Sequence, residues 1–283
     1  MKKSFILLFA AFMALTSCNS KKTTDTPAPA EEVQTPEGTL SKTLSDGTVV
    51  TWLKDNQGER LMPRALFGAP DSLYDALGIG QDGVPASVST YVMKSGNDIV
   101  LFDAGLGVNG GGQTVALLEA LGIKAEDVNY LYVSHFHGDH IGGMINDGQV
   151  VFPNAKVYVG KVEYDAWMAM PEDRNGQVRE IMGAYKDQLN FFEFDEVLPN
   201  GVKAINAVGH TPGHTVFQKA ELLIIADLMH GAALQMEHPE YNANFDMDKE
   251  QAAASRARIL EYAKTNNLMM AGMHLPAPGF WEK

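Results

Sequence analysis

The chain has 283 residues, 45% of them hydrophobic and 20% charged, a balance that suits an enzyme-sized globular protein and excludes a disordered one. Its 22 basic against 35 acidic residues give a formal charge of −13 with no compensating basic patch, so nucleic acid is excluded as a partner. A single cysteine excludes an intrachain disulfide and a cysteine-rich zinc finger.

At the start, Lys2 and Lys3 precede an apolar run of eleven residues, Phe5 to Leu15. A bilayer span needs about 20 residues, so this run has instead the length of a secretory signal core. Leu15-Thr16-Ser17-Cys18 resembles a bacterial lipoprotein signal, in which the cysteine carries the lipid. The expectation is a signal over residues 1–17 and an exported cell-envelope lipoprotein, on the periplasmic or outer face, anchored through Cys18. Residues 18–38 are rich in Thr, Pro, Ala, Glu and Lys without apolar periodicity, which reads as a flexible tether. Residues 39–283 show no repeat and no second linker and read as one domain.

Within that domain, Thr48–Leu53 is a strand candidate. Val88–Lys94 and Asp98–Asp103 form a hairpin across Ser95-Gly96-Asn97. A helix is expected over Gln113–Leu121, stopped by Gly122, then strands at Asn129–Ser134 and Lys156–Val159. Helices at Val162–Met170 and Gln177–Leu189 precede strands at Val202–Ala207, Thr215–Lys219 and Leu222–Ala226. Asp248 caps the clearest helix, to Lys264, and Leu268–Ala271 is a last strand. Clustered strands interleaved with helices predict an α/β fold with sheets packed under helices.

The sharpest chemical feature is His135-Phe136-His137-Gly138-Asp139-His140, directly after a strand. Residues two apart in an extended segment share a side, so His135 and His137 can reach one cation. Gly138 lets the chain turn, and Asp139 and His140 can then face a second position. Neutral imidazole is a good zinc ligand, and a carboxylate adds charge and a proton acceptor.

This segment resembles the metal-binding motif of the metallo-β-lactamase superfamily. Later stretches match the superfamily in order: Thr211-Pro212-Gly213-His214-Thr215, Ile225-Ala226-Asp227-Leu228 and Ala271-Gly272-Met273-His274. The resemblance implies an αββα sandwich of two mixed sheets flanked by helices. It also implies two divalent cations, zinc first, one held by His135, His137 and His214 and the other by Asp139, His140 and His274. Asp227 would bridge them. In Gly209-His210-Thr211-Pro212-Gly213-His214 either histidine could be the ligand, and the Thr-Pro-Gly-His-Thr match favours His214. Phe102-Asp103-Ala104-Gly105 matches a motif whose aspartate, here Asp103, supports the site from behind. His230 reads as a supporting residue or pocket wall, and Phe67 and Trp167 as candidate apolar walls of the substrate pocket, although either could equally be core.

Residue types narrow the branch. Diiron flavoprotein reductases of the superfamily usually carry a glutamate where this chain has His137. True β-lactamases usually lack an aspartate at the position of Asp227. Phe152-Pro153-Asn154-Ala155, Glu163-Tyr164-Asp165-Ala166-Trp167, Asp227 to His230 with Gln235, and Phe245-Asp246-Met247-Asp248 resemble the methyl-parathion-hydrolase and quorum-quenching-lactonase branch. That resemblance implies hydrolysis of lactones, esters or phosphotriesters of small apolar molecules by a hydroxide held between two cations. Asp139 would shuttle a proton to the leaving group. The alternatives are a mononuclear-iron, sulfur-oxidising enzyme of the same fold and a non-catalytic metal-binding lipoprotein. The oligomeric state is open, a homodimer included. Only Leu275–Lys283 follow His274, where that branch usually continues through another loop and an edge strand.

Overall fold

Alternation along the strands decides the architecture. In Asp98–Phe102, Val100 and Phe102 turn to one side and Leu101 to the other. In Tyr130–Val133, Tyr132 opposes Leu131 and Val133, and in Leu222–Ile224, Leu223 opposes its neighbours. Strands that are apolar on both sides must be covered on both. The computed structural model, which describes residues 36–282, shows how this is done.

A seven-stranded mixed sheet runs, edge to edge, Thr39–Thr43, Val49–Lys54, Ser89–Ser95, Asp98–Phe102, Tyr130–Val133, Lys156–Gly160 and Leu189–Phe192. A six-stranded sheet runs Val197–Leu198, Val202–Asn206, Thr215–Lys219, Leu222–Ile224, Met269–Ala271 and Phe280–Trp281. Their inner faces pack together, Trp52, Tyr91, Val100, Phe102 and Tyr132 against Ala204, Phe217, Leu222, Ile224 and Ala271. On the outer face of the first sheet, Leu101, Leu131, Val133 and Val157 lie under Leu118 of helix Thr114–Ala120 and Val178, Ile181 and Met182 of helix Glu172–Ala184. On the outer face of the second, Ile205, Val216, Leu223 and Met270 lie under Ile259 and Ala263 of helix Lys249–Thr265. This is the expected αββα sandwich.

Strand direction then collects the functional loops at one end. Asp98–Phe102 and Tyr130–Val133 run parallel, so Asp103 and Ser134 leave from the same side. Leu222–Ile224 and Met269–Ala271 are also parallel, which brings the loops of Asp227 and His274 together. Asn206 pairs with Thr215, leaving residues 207–214 as a loop between antiparallel strands. The Thr215 amide donates to Ser134 O at 3.1 Å and joins the two sheets at that end.

A smaller cap covers the same end. Arg60–Met62 pairs with Val84–Ala86, and Met62, Phe67, Tyr74, Val84, Leu234 and Ala243 form its own apolar cluster. Arg64 pins it, donating through Nε to Gly80 O at 3.0 Å while its own carbonyl accepts from the Tyr74 hydroxyl at 2.7 Å.

Several boundaries differ from expectation for physical reasons. The helix expected over Gln177–Leu189 is Glu172–Ala184, started just after Pro171, and Leu189 opens the strand Leu189–Phe192. After His274 the short strand Phe280–Trp281 does form an edge, paired with Met269–Ala271. Among the described residues no helix is long and apolar enough to cross a membrane. The expectations for the signal at 1–17, Cys18 and the tether as far as residue 35 lie outside the described residues.

One buried carboxylate fixes the loop that follows the first sheet's central hairpin. Asp55 accepts hydrogen bonds from the amides of Leu106, Gln113 and Thr114 and from the Thr114 hydroxyl, at 2.6 to 2.8 Å. Asp55→Ala leaves these donors unpaired and is expected to lower the unfolding free energy by about 3 kcal/mol. Chemical denaturation measures this, and a loss below ~0.5 kcal/mol would contradict the assignment.

Candidate metal centre

Asp227 is the centre. It follows Ala226, whose φ of 46° is a strained value for a residue with a Cβ, and its carboxylate is buried. Asp227 Oδ2 lies 3.0 Å from His274 Nε2, 3.0 Å from His230 Nε2 and 3.3 Å from His210 Nε2. His135 Nε2 is 3.7 Å from the same oxygen, and Oδ1 faces His140 Nε2 at 3.0 Å.

Each imidazole is oriented by what its other nitrogen does. Ser134 Oγ donates to Asp103 Oδ2 at 2.7 Å, so it accepts from His135 Nδ1 at 3.0 Å. His140 Nδ1 donates to Asp103 Oδ2 at 2.7 Å, His210 Nδ1 to Asp246 Oδ1 at 2.8 Å, and His274 Nδ1 to Ser87 O at 2.7 Å. These bonds keep a proton on each Nδ1 and turn each Nε2 inward, where a cation would displace any second proton. Asp246 is itself held by Arg256, a fully buried arginine of helix Lys249–Thr265, at 3.3 Å.

Four overlapping groups of ligand atoms lie within 4.8 Å: His135, His137, His210 with Asp227; Asp139, His140 with His274; His210, His230 with Asp246; and Asp227, His230 with His274. The first two together take in every residue of the His135–His140 motif that can hold a metal. A cation suits both. In the first, His137 Nδ1 lies 3.1 Å from His135 Nε2 and 2.8 Å from His210 Nε2, three ring nitrogens converging on one point. In the second, His140 Nε2 and Asp227 Oδ1 are buried and have no hydrogen-bond partner among the described residues. A divalent ion at each group would take up the inward-facing ring nitrogens and carboxylate oxygens.

Burial, with neighbouring imidazoles, holds His135 well below the ordinary histidine range and His137 down at about 3, so both are neutral donors. His210 goes the other way, to about 9, because hydrogen bonds to Asp227 and Asp246 outweigh its burial. His140 is raised well above the usual value as Asp227, Asp103 and Asp139 outweigh burial there too. Burial alone would raise Asp139, but His140 and His274 hold its carboxyl below the usual value, and it is ionised at neutral pH.

His214 is the main departure from expectation. Its Nδ1 donates to Ala207 O at 3.0 Å and its Nε2 accepts from the Asp227 amide at 3.0 Å. Both nitrogens are spent on backbone, so His214 is a strut beneath the site and His210 takes the place expected for it. His135, His137, Asp139, His140, Asp227 and His274 are brought together as expected, and Asp103 supports His135 and His140 from behind.

A cavity of about 740 Å³ opens over the cluster, with His137, Asp139, His210, Asp227, His230 and His274 as its floor and Leu61, Met62, Pro63, Leu66 and Phe245 as an apolar wall. Glu59 and Arg60 stand at its side. Phe67 and Trp167, expected as walls, are not part of it. Phe67 is buried in the cap, and Trp167 is buried behind His137, edge-on at 5.9 Å. The walls that sequence reading missed come from the three-residue strand Arg60–Met62, the short helical turn Arg64–Leu66 and the loop of Phe245, all too short to show a periodicity. His230 lines the cavity, stacked on His274, and its Nδ1 has no partner among the described residues.

Residues 83–274 match the metallo-β-lactamase superfamily, and the chain belongs to that superfamily. It is 31% identical over 152 residues to an N-acyl homoserine lactonase of Bacillus cereus, covering 52% of this chain and 56% of that one. It is likewise 31% identical over 155 residues to the N-acyl homoserine lactonase AiiA of Bacillus thuringiensis subsp. kurstaki, covering 53% and 57%. The chain thus spans little more than half the length of these relatives. Among solved structures, AidC, a dizinc quorum-quenching lactonase in complex with a product, N-hexnoyl-L-homoserine, shares the fold with a TM-score of 0.78 at 23% identity, over 86% of this chain and 92% of that one. The hydrolase AbOPH of the β-lactamase superfamily superposes with a TM-score of 0.77 at 26% identity, over 87% and 92%.

The geometry separates the two histidines of the loop experimentally. His210→Ala is expected to fold and to lose bound metal, whereas His214→Ala keeps its metal but loses about 2 kcal/mol of stability from the unpaired backbone groups. Metal analysis with thermal unfolding reads both, and loss of metal in His214→Ala alone would reverse the assignment.

Proposed function

We propose that this chain is a hydrolase of lactones, esters or phosphotriesters with an apolar arm, and that it works with two divalent cations, zinc foremost. His135, His137 and His210 would hold one, Asp139, His140 and His274 the other, and Asp227 both. The observation that carries this reading is the cavity, whose floor presents His137, Asp139, His210, Asp227 and His274 of both groups, with His135 and His140 buried beneath, and whose wall is apolar. Completeness of the second group supports two cations over the single iron of the sulfur-oxidising alternative. The relatives named as N-acyl homoserine lactonases support N-acyl homoserine lactones as the first substrate class to test.

When bound, two such ions supply a water acidified to near neutrality and an electrophile for the carbonyl or phosphoryl oxygen. The rest is done by the protein's own groups. Leu61, Leu66 and Phe245 can take the apolar arm and exclude water from one side of the reacting bond. Asp139, whose side chain is about one-quarter exposed at the cavity floor, can accept the proton of the attacking water on a carboxylate oxygen. It then returns that proton to the leaving oxygen as the acyl or phosphoryl bond breaks.

Metal-quantified protein is tested with N-acyl homoserine lactones, p-nitrophenyl esters and methyl paraoxon. Turnover that vanishes with chelator and returns with zinc or manganese is expected, and no turnover on any of these would overturn the reading. Asp139→Asn with both cations retained should lower kcat by about 100-fold or more; an unchanged rate would dismiss the proton role.

A further inference from the structure

Glu163, on helix Lys161–Met168, is buried and reaches neither the cavity nor the ligand cluster, yet its carboxylate is fully engaged. One oxygen, Oε1, accepts from the Phe136 amide at 3.0 Å and the Trp167 indole at 2.6 Å. The other, Oε2, accepts from the Thr211 hydroxyl at 2.9 Å and the Gly213 amide at 2.6 Å. Phe136 lies between His135 and His137, and Thr211 directly follows His210. Each oxygen therefore holds one of the two loops that carry the first group of ligands. Trp167 extends the first hold, since its ring meets the edge of His137. The packing leaves no slack: a Cβ on Gly213 would stand 2.3 Å from the Glu163 amide nitrogen.

The second group is fastened elsewhere. His140 hangs from Asp103 and His274 from Ser87 O, neither of which Glu163 touches. We propose that Glu163 is a positioning residue that sets the spacing between the His135–His137 loop and the His210 loop, and so governs the affinity of one cation and not the other. This rests on the dinuclear reading above. Zinc–nitrogen bonds hold near 2.0–2.1 Å, so a shift of one loop by a few tenths of an ångström is felt directly, and outer groups of this kind typically change metal affinity 10–100-fold.

Glu163→Gln is isosteric, but its amide NH₂ must face one pair of donors, so one loop is released. Zinc titration of the full chain against a competing chelator should give two equivalents for the wild type. Glu163→Gln should keep one at wild-type affinity and bind the other about 10–100-fold more weakly. On a His274→Ala background, which removes the second position, Glu163→Gln should weaken the single remaining equivalent by the same factor. Thr211→Val deletes one donor and leaves the carboxylate, and should weaken the same equivalent, with Thr211→Ser restoring it. This variant carries the test if Glu163→Gln does not fold, which circular dichroism of the metal-free forms shows. Wild-type affinities for both equivalents in Glu163→Gln and Thr211→Val, or equal weakening of both, would overturn the proposal. Fewer than two equivalents in the wild type would instead overturn the dinuclear reading.

Discussion

The buried carboxylate of Asp227 is the constraint on which the rest depends. An isolated anion in such a place would be costly, and it persists only because imidazole nitrogens from four separate segments crowd around it. With protons alone that crowd is poorly matched, since His140 Nε2 and Asp227 Oδ1 meet at 3.0 Å as charges without a well-formed hydrogen bond. On the dinuclear reading proposed above, divalent charge at two positions would turn this mismatch into coordination.

The sandwich makes the arrangement possible. Parallel neighbours in each sheet deliver Asp103, Ser134, Asp227 and His274 to a single end, although they are far apart in sequence. A ring of further carboxylates and carbonyls then fixes each imidazole: Asp103 for His140, Asp246 with Arg256 for His210, and Ser87 for His274. His214 belongs to this supporting layer, joining Ala207 to the Asp227 amide. Rigid support on strand ends is what lets ligand atoms be placed to within a fraction of an ångström.

Much of this was legible from residue order. The His135–His140 segment announces itself because its spacing matches what an extended strand followed by a tight turn can present. The central strands were legible because apolar residues on both faces leave little else for them to be. The choice between His210 and His214 was not, because both lie in near-identical Gly-His contexts, and only the partners of their ring nitrogens distinguish them. The edge strand Thr39–Thr43 was missed because it is largely polar, and the cap because its elements are only a few residues long. Trp167 was a candidate wall from its place in a branch-like motif and Phe67 from its place before the catalytic strands, and neither says which side of a helix or loop faces the cavity. The grip of Glu163 on two loops depends on contacts 27 to 50 residues away along the chain, which no local pattern records.

The most direct measurement is anomalous X-ray diffraction from crystals of the zinc-loaded protein. Two peaks flanking Asp227 are predicted, one ringed by His135, His137 and His210 and the other by Asp139, His140 and His274. A single peak, no peak, or a zinc ligated by His214 would contradict the account.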